Sequence, residues 1–275
     1  MALATLEEGL RQNPKSDAIL TALIQVYTQQ KKYDAAIGLC EKQISANPKN
    51  AVAYNLLGWV YSDLKNFQEA EKALQTAIDI QPMWPSPHNN LAQLYLAQGR
   101  EKEAIEKFEA ALKANPQYAA GYLSLGMLYE RSNAYQNAMQ VYERALKENP
   151  NFWFAANNLA FLLCEQSDQK VDLERAQELA QKALKLRPNN AAVLDTLGWA
   201  YYRLGDIKQA QPLIEQALDG APDSPILNYH MGMVMYQQGL NEEARMKFEK
   251  AVAEEGDYLG RAEAVKMLEK LKAQG

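Results

Sequence analysis

The stretch AYNLLGWVYSDLKNFQEAEKALQTAIDIQP, residues 53–82, decides the fold. Its first half sets Tyr54, Leu57, Gly58 and Tyr61 at helical spacing on one face, and its second half does the same with Ala70, Leu74 and Ala77. The spacing predicts two short helices that face each other, with Gly58 opposite Ala70 where the backbones come close. Each helix would run about 14 residues, roughly 21 Å. Pro82 stops the second one, because proline cannot continue a helix.

The same plan is written along the whole chain. Prolines fall at Pro14, Pro48, Pro82, Pro116, Pro150, Pro188 and Pro222, at gaps of 34, 34, 34, 34, 38 and 34 residues. Aligned on them, the phrase LLGWVY (56–61) recurs as ALIQVY (22–27), NLAQLY (90–95), SLGMLY (124–129), NLAFLL (158–163), TLGWAY (196–201) and HMGMVM (230–235). Nine residues past each phrase stands an alanine: Ala36, Ala70, Ala104, Ala138, Ala210 and Ala244, with Ala176 taking the part after a delay of four. Gly99, Gly205 and Gly239 fall where a first helix should end and suit a left-handed cap. A helix pair of this kind cannot bury its apolar face alone, whereas stacked neighbours can.

The bulk numbers agree. The chain has 275 residues, 48% hydrophobic and 23% charged, which is too apolar for disorder. Its formal net charge of −5 argues against a nucleic-acid surface, which needs a basic stripe. No apolar run reaches the roughly 18 residues a membrane span needs. Cys40 and Cys164 lack metal-ligand or CxxC spacing and read as reduced, buried thiols, compatible with cytoplasm or periplasm.

These residues and their register resemble the tetratricopeptide repeat (TPR) family, in a bacterial form. The resemblance implies an all-α fold, a right-handed superhelical solenoid of antiparallel helix pairs. Repeats are expected at 17–50, 51–84, 85–118, 119–152, 153–190, 191–224 and 225–256. Residues 1–16 read as the second helix of a truncated repeat, with Ala2, Leu6 and Gly9 at packing positions and Met1 as an added start. Residues 257–275 read as a capping helix, begun by Ala262 and Val265 and turning polar at Lys266, Glu269, Lys270 and Lys272. The fifth repeat carries four extra residues within CEQSDQKVDLERA (164–176), expected to extend its hairpin tip or its first helix.

In this family the first helices line a groove that holds peptide segments, which makes one row of positions the candidate site. The sixth position of successive repeats runs Ala22, Leu56, Asn90, Ser124, Asn158, Thr196 and His230, beside Asn55, Asn89, Asn157, Asp195 and Tyr229 at the fifth. An asparagine amide can donate to and accept from a peptide backbone. The ninth position runs Gln25, Trp59, Gln93, Met127, Phe161, Trp199 and Met233, mostly large and apolar on a face expected to meet solvent, with Tyr202 and Tyr236 adding aromatic area. Trp59 and Trp199 read as partner contacts, while Asn90 and Asn158 could equally tie the stack together. Positions 2, 5, 6, 9, 12 and 13 of each first helix should point inward. The cations of chaperone-binding members are missing from the corresponding positions (Thr21, Gln25, Leu56, Ser86, Asn90), so the groove should prefer a neutral or mixed ligand to an acidic tail.

The expected function is a non-catalytic protein-interaction scaffold binding a peptide segment or helix, without metal or cofactor, nucleic acid or membrane insertion. His88 reads as an interior histidine and His230 as part of the polar row, and no catalytic constellation appears. Two other readings stand beside it: a self-assembling structural subunit of a multiprotein complex, of the envelope or elsewhere, and a regulatory array cut from a larger enzyme, since the asparagine row resembles that of protein O-GlcNAc transferases. Residues 172–206 and 212–239 are also similar to TPR lipoproteins of exosortase and exopolysaccharide systems.

Overall fold

The computed structural model describes residues 2–253, 256 and 258–273, which form sixteen helices and no strand. The expectations for Met1, for the packing of Ala2, and for Asp257 and the last two residues lie outside what is described. Two compact units result, Met1–Leu125 and Gly126–Gly275, with the division falling inside one helix. The first unit holds α1 (Ala2–Gln12), α2 (Asp17–Gln29), α3 (Tyr33–Ala46), α4 (Ala51–Asp63), α5 (Phe67–Ile80), α6 (Pro85–Ala97), α7 (Glu101–Ala114) and the start of α8 (Ala119–Arg131). The second holds the rest of α8, then α9 (Tyr135–Glu148), α10 (Trp153–Gln166), α11 (Lys170–Leu186), α12 (Ala191–Arg203), α13 (Ile207–Gly220), α14 (Pro225–Gln237), α15 (Asn241–Val252) and α16 (Arg261–Lys272).

Each unit is a stack with the same packing rule. In the first, α4 packs on α5 and α6 on α7, while α3 and α5 also pack on the following helices α4 and α6. The first helices α2, α4 and α6 touch in turn. In the second unit α10–α11, α12–α13 and α14–α15 are the pairs, and α10, α12, α14 and α16 form the continuous inner row. Leu20, Leu23, Ile24, Cys40, Leu57 and Val60 belong to the first unit's core, with Leu6 packed against it. Leu194, Ile214, Leu227, Met231 and Val234 are central in the second.

The punctuation expected from the sequence has a clear physical form. Asn47, Asn115 and Asn149 each precede a proline and sit extended, at φ −144°, −144° and −142°. Their side chains then accept the backbone N–H two residues on, at 3.2, 2.9 and 2.9 Å. Gly99, Gly205 and Gly239 adopt φ +72°, +84° and +79° after a first helix. Lys31, Lys65 and Asn133 hold the same left-handed turn elsewhere, so the turn is set by the stack and glycine only eases it.

Two expectations are corrected. The four extra residues of the fifth repeat lengthen mainly its second helix: α10 has 14 residues against 13 in the neighbouring first helices α8 and α12, and α11 has 17 against 14 in the neighbouring second helices α9 and α13. The tip is pinned by Arg203, which donates to the carbonyl oxygens of Cys164 and Ser167 and to Asp168 Oδ1. At the C-terminal end, Ala262 and Val265 are exposed, and α16 packs through Ala264, Met267, Leu268 and Leu271 instead. The helix starts from Gly260 at φ +98°, in contact with Tyr229, and that turn sets the rotation of its apolar face.

Within a pair the closest approach is not Gly58 to Ala70 alone. A Cβ on Gly58 would meet Leu74 Cγ at 2.5 Å before the Ala70 carbonyl oxygen at 3.1 Å. Gly198 repeats this with Ile214 Cγ1 at 2.6 Å and the Ala210 oxygen at 3.1 Å, and Gly232 with the Phe248 ring at 2.6 Å. Because the carbonyl belongs to a packed helix, the second helix cannot give way. Gly198→Val should therefore destabilise the second unit by about 2 kcal/mol, read as a lower urea midpoint of the helical signal. An unchanged midpoint would mean the pair can separate without cost.

Candidate functional site

Helices α10, α12 and α14 present their inner faces to a cavity of about 390 Å³, open to solvent. Asn157, Asn158 and Phe161 come from α10, Asp195 and Thr196 from α12, and Ile226 and Leu227 from α14; Glu130 reaches it from the last turn of α8. Fifth, sixth and ninth positions share one helix face, so the 3.6-residue period brings them to the same wall.

A chain of hydrogen bonds runs along that wall. Asn157 Nδ2 donates to Asn158 Oδ1 at 3.3 Å, and Asn158 Nδ2 donates to the Tyr142 hydroxyl at 3.1 Å. Tyr142 donates in turn to Glu130 Oε1. The tyrosine is fully buried and reaches this place through Gly126, where any Cβ would run into its ring. Burial pushes the Tyr142 phenol far up, so it stays a donor. Burial also raises the Glu130 carboxyl above its ordinary range, against the lowering effect of the Tyr142 bond.

Behind the cavity lies an aromatic cluster that overturns part of the expected surface. Trp199 is 2% exposed. It stacks on Tyr202 at 4.7 Å and on His230 at 4.0 Å, and its Nε1 donates to Glu165 Oε1 at 2.6 Å. His230 is wholly buried and donates from Nδ1 to both Asp195 oxygens, at 2.8 and 2.9 Å. Tyr229 is buried against Trp199, Phe248 and Tyr258. The solvent-facing expectation is therefore corrected for Trp199, Tyr229, His230 and Asp195, because α14 lays its own rings over α12. Tyr202 remains half-buried, Met233 is partly buried, and Lys270 covers the Tyr236 ring at 5.0 Å.

The polar row also does more stitching than its positions alone implied. Asn90 Nδ2 donates to Asn55 Oδ1 at 2.9 Å, joining the sixth position of one repeat to the fifth of the one before. His230 and Asp195 make the same connection in the second unit. Asn55 and Asn157 are buried rather than free at the surface. In the first unit Trp59 packs against the core, Asn89 is partly buried, and exposed Gln93 donates to Ser124 Oγ at 3.4 Å. Met127 is 55% exposed and does not line the cavity. Glu130 was missed among the candidates although it holds the twelfth position of its repeat, one of those expected to face inward.

Other expected interior groups can be placed as well. His88 is buried and its Nε2 lies 3.0 Å from the Pro82 carbonyl oxygen. Among the described residues no cluster of three or more His, Cys, Asp or Glu is arranged to hold a metal ion, and no helix is long and apolar enough to cross a membrane.

Sequence profiles described as tetratricopeptide repeat match residues 2–51, 89–151 and 196–259, and two further ones match 27–94 and 154–223. The chain belongs to the tetratricopeptide repeat family. Among solved structures it is similar to a chain of the APC/C hetero-tetramer Cut9–Hcn1, at 17% identity and TM-score 0.65, over 98% of this chain and 52% of that one. The present chain thus spans about half the length of that relative. It is also similar to PilF of Pseudomonas aeruginosa, at 19% identity and TM-score 0.59, over 82% of this chain and 97% of that one. A third is YrrB, described as a TPR protein with an unusual peptide-binding site, at 20% identity and TM-score 0.53, over 73% and 97%. At these identities the likeness is one of fold. No curated protein matches the sequence.

Two measurements check this description. Asp195→Ala strips the buried His230 of its acceptor and should cost about 1–3 kcal/mol of stability, seen in chemical unfolding; a neutral result would mean the pair contributes nothing to the stack. Burial pushes the thiols of Cys40 and Cys164 up to about 12. A protonated, enclosed thiol is a poor nucleophile, so neither should react with an aromatic disulfide reagent at pH 8 until denaturant is added. Rapid reaction of the folded chain would contradict the buried placement.

Proposed function

We propose that this chain is a scaffold that holds an extended peptide segment of a partner protein against α10, α12 and α14. The TPR repeats support the broader reading of a protein-interaction scaffold. The observation that supports the peptide reading is the open cavity on the inner row, where Phe161, Ile226 and Leu227 supply apolar area beside the Asn157–Asn158 amides. That mixture fits an extended chain, whose backbone needs polar partners and whose alternate side chains need pockets. YrrB, which shares the fold, is described as having a peptide-binding site, which is in keeping with the reading.

Trp199 is buried and is the wrong probe, so the test uses Asn158 and Phe161, both half-buried on the cavity wall. A random-peptide display library is selected on the full chain and on the Asn158→Ala, Phe161→Ala double variant at equal helix content. Enriched peptides should lose at least about tenfold in affinity on the variant, the usual weight of a buried contact centre. If nothing enriches, or every peptide binds the variant equally, the peptide reading is wrong, and sedimentation of the chain then tests self-assembly.

A further inference from the structure

The cavity just described has acceptors left over. Asn157, Asn158 and Thr196 each spend a side-chain donor inside the wall, on Asn158 Oδ1, the Tyr142 hydroxyl and the Ala192 carbonyl oxygen. Tyr142 spends its own on Glu130. What remains, beside the second N–H of each amide, is the Glu130 carboxyl, the Thr196 oxygen and the Asp195 carboxylate, the last shared with His230. Asn157 is only 7% exposed, and its Oδ1 lies enclosed in the wall without a hydrogen-bond partner among the described residues, so the cavity's accessible acceptors are the others.

Among the described residues no lysine, arginine or histidine lines this cavity. Arg131 borders a neighbouring cavity that shares Glu130, and His230 stands behind Asp195. The whole chain carries a formal charge of −5. Burial already disfavours the ionised Glu130 carboxyl, a penalty that a nearby positive charge would relieve. Phe161 adds a ring face, to which a cation is attracted. A neutral peptide group brings an acceptor for every donor, whereas ammonium and guanidinium groups bring donors only.

Resting on the peptide reading above, we propose that this cavity seats a lysine or arginine side chain of the bound segment, held by the Glu130 carboxyl beside Phe161. The cation is then the determinant of which segment binds, and the amide row contributes grip without choosing sequence.

The experiment starts from peptides selected on the full chain and resynthesised with lysine, arginine, norleucine or glutamate at each enriched basic position. Affinities are measured by fluorescence anisotropy on the unaltered chain and on Glu130→Gln. The expected result is that one position prefers lysine or arginine over norleucine by at least about tenfold, as for a charged hydrogen bond in a partly buried site. On Glu130→Gln that preference should shrink to about twofold. Peptides that bind with no basic preference, or a preference that Glu130→Gln leaves intact, overturn the cation seat while leaving the peptide reading in place. If no peptide is selected at all, both fall. The lysine-to-norleucine comparison is made on the unaltered chain, so it decides the matter even if Glu130→Gln folds poorly.

Discussion

Everything in this structure depends on how closely the two helices of a pair can approach. The eighth position of a first helix meets a residue sixteen further on in the second, and the two must share one fixed volume. Gly58 takes Leu74, Gly126 takes Tyr142, Gly198 takes Ile214 and Gly232 takes Phe248. In the first repeat the same two places hold Ile24 and Cys40, both fully buried in one core. There the large residue stands on the first helix and the small one on the second. Close-packed interiors tolerate such exchanges only when total volume is kept, and this accounts for Cys40 without any chemistry of its own.

That constraint explains why the fold was legible. Glycine, alanine and proline at fixed intervals are backbone instructions, and they act within one repeat or between adjacent ones. The 34-residue period, the helix ends at Asn-Pro and the left-handed turns at Gly99, Gly205 and Gly239 all have local causes. The extra residues of the fifth repeat were harder to place. Whether they extend α10, the tip or α11 depends on Arg203, thirty-odd residues downstream, which fixes the tip through three acceptors. The rotation of α16 was hidden for a similar reason, since it follows from the contact of Gly260 with Tyr229.

The candidate site was legible in position and misread in exposure. Periodicity placed the fifth, sixth and ninth positions on one helix face, and Asn157, Asn158, Phe161, Asp195 and Thr196 around the cavity hold them, whereas Glu130, Ile226 and Leu227 come from other positions. Periodicity does not say what the next repeat lays on top. Trp199 and Phe161 hold the same ninth position, yet one is sealed by His230 and Tyr229 while the other lines open space. The difference is made by the following first helix. After α12 it brings two rings at its fifth and sixth positions; after α10 it brings Asp195 and Thr196, which are too small to cover Phe161.

The same reasoning links the packing rule to the chemistry of the cavity. Gly126 exists, in packing terms, to admit a large partner, and that partner is a tyrosine where two other pairs place phenylalanine, Phe108 and Phe248. A phenyl ring would fill the volume equally well and end there. The added hydroxyl emerges between Asn158 and Glu130, where it takes one donor and supplies another. It thereby takes up one N–H of the Asn158 amide, whose oxygen in turn accepts from Asn157 Nδ2. The hydrogen-bond pattern of this wall is thus tied to a single oxygen atom carried through the helix pair by a glycine, and part of the site's polarity is set from the core outward.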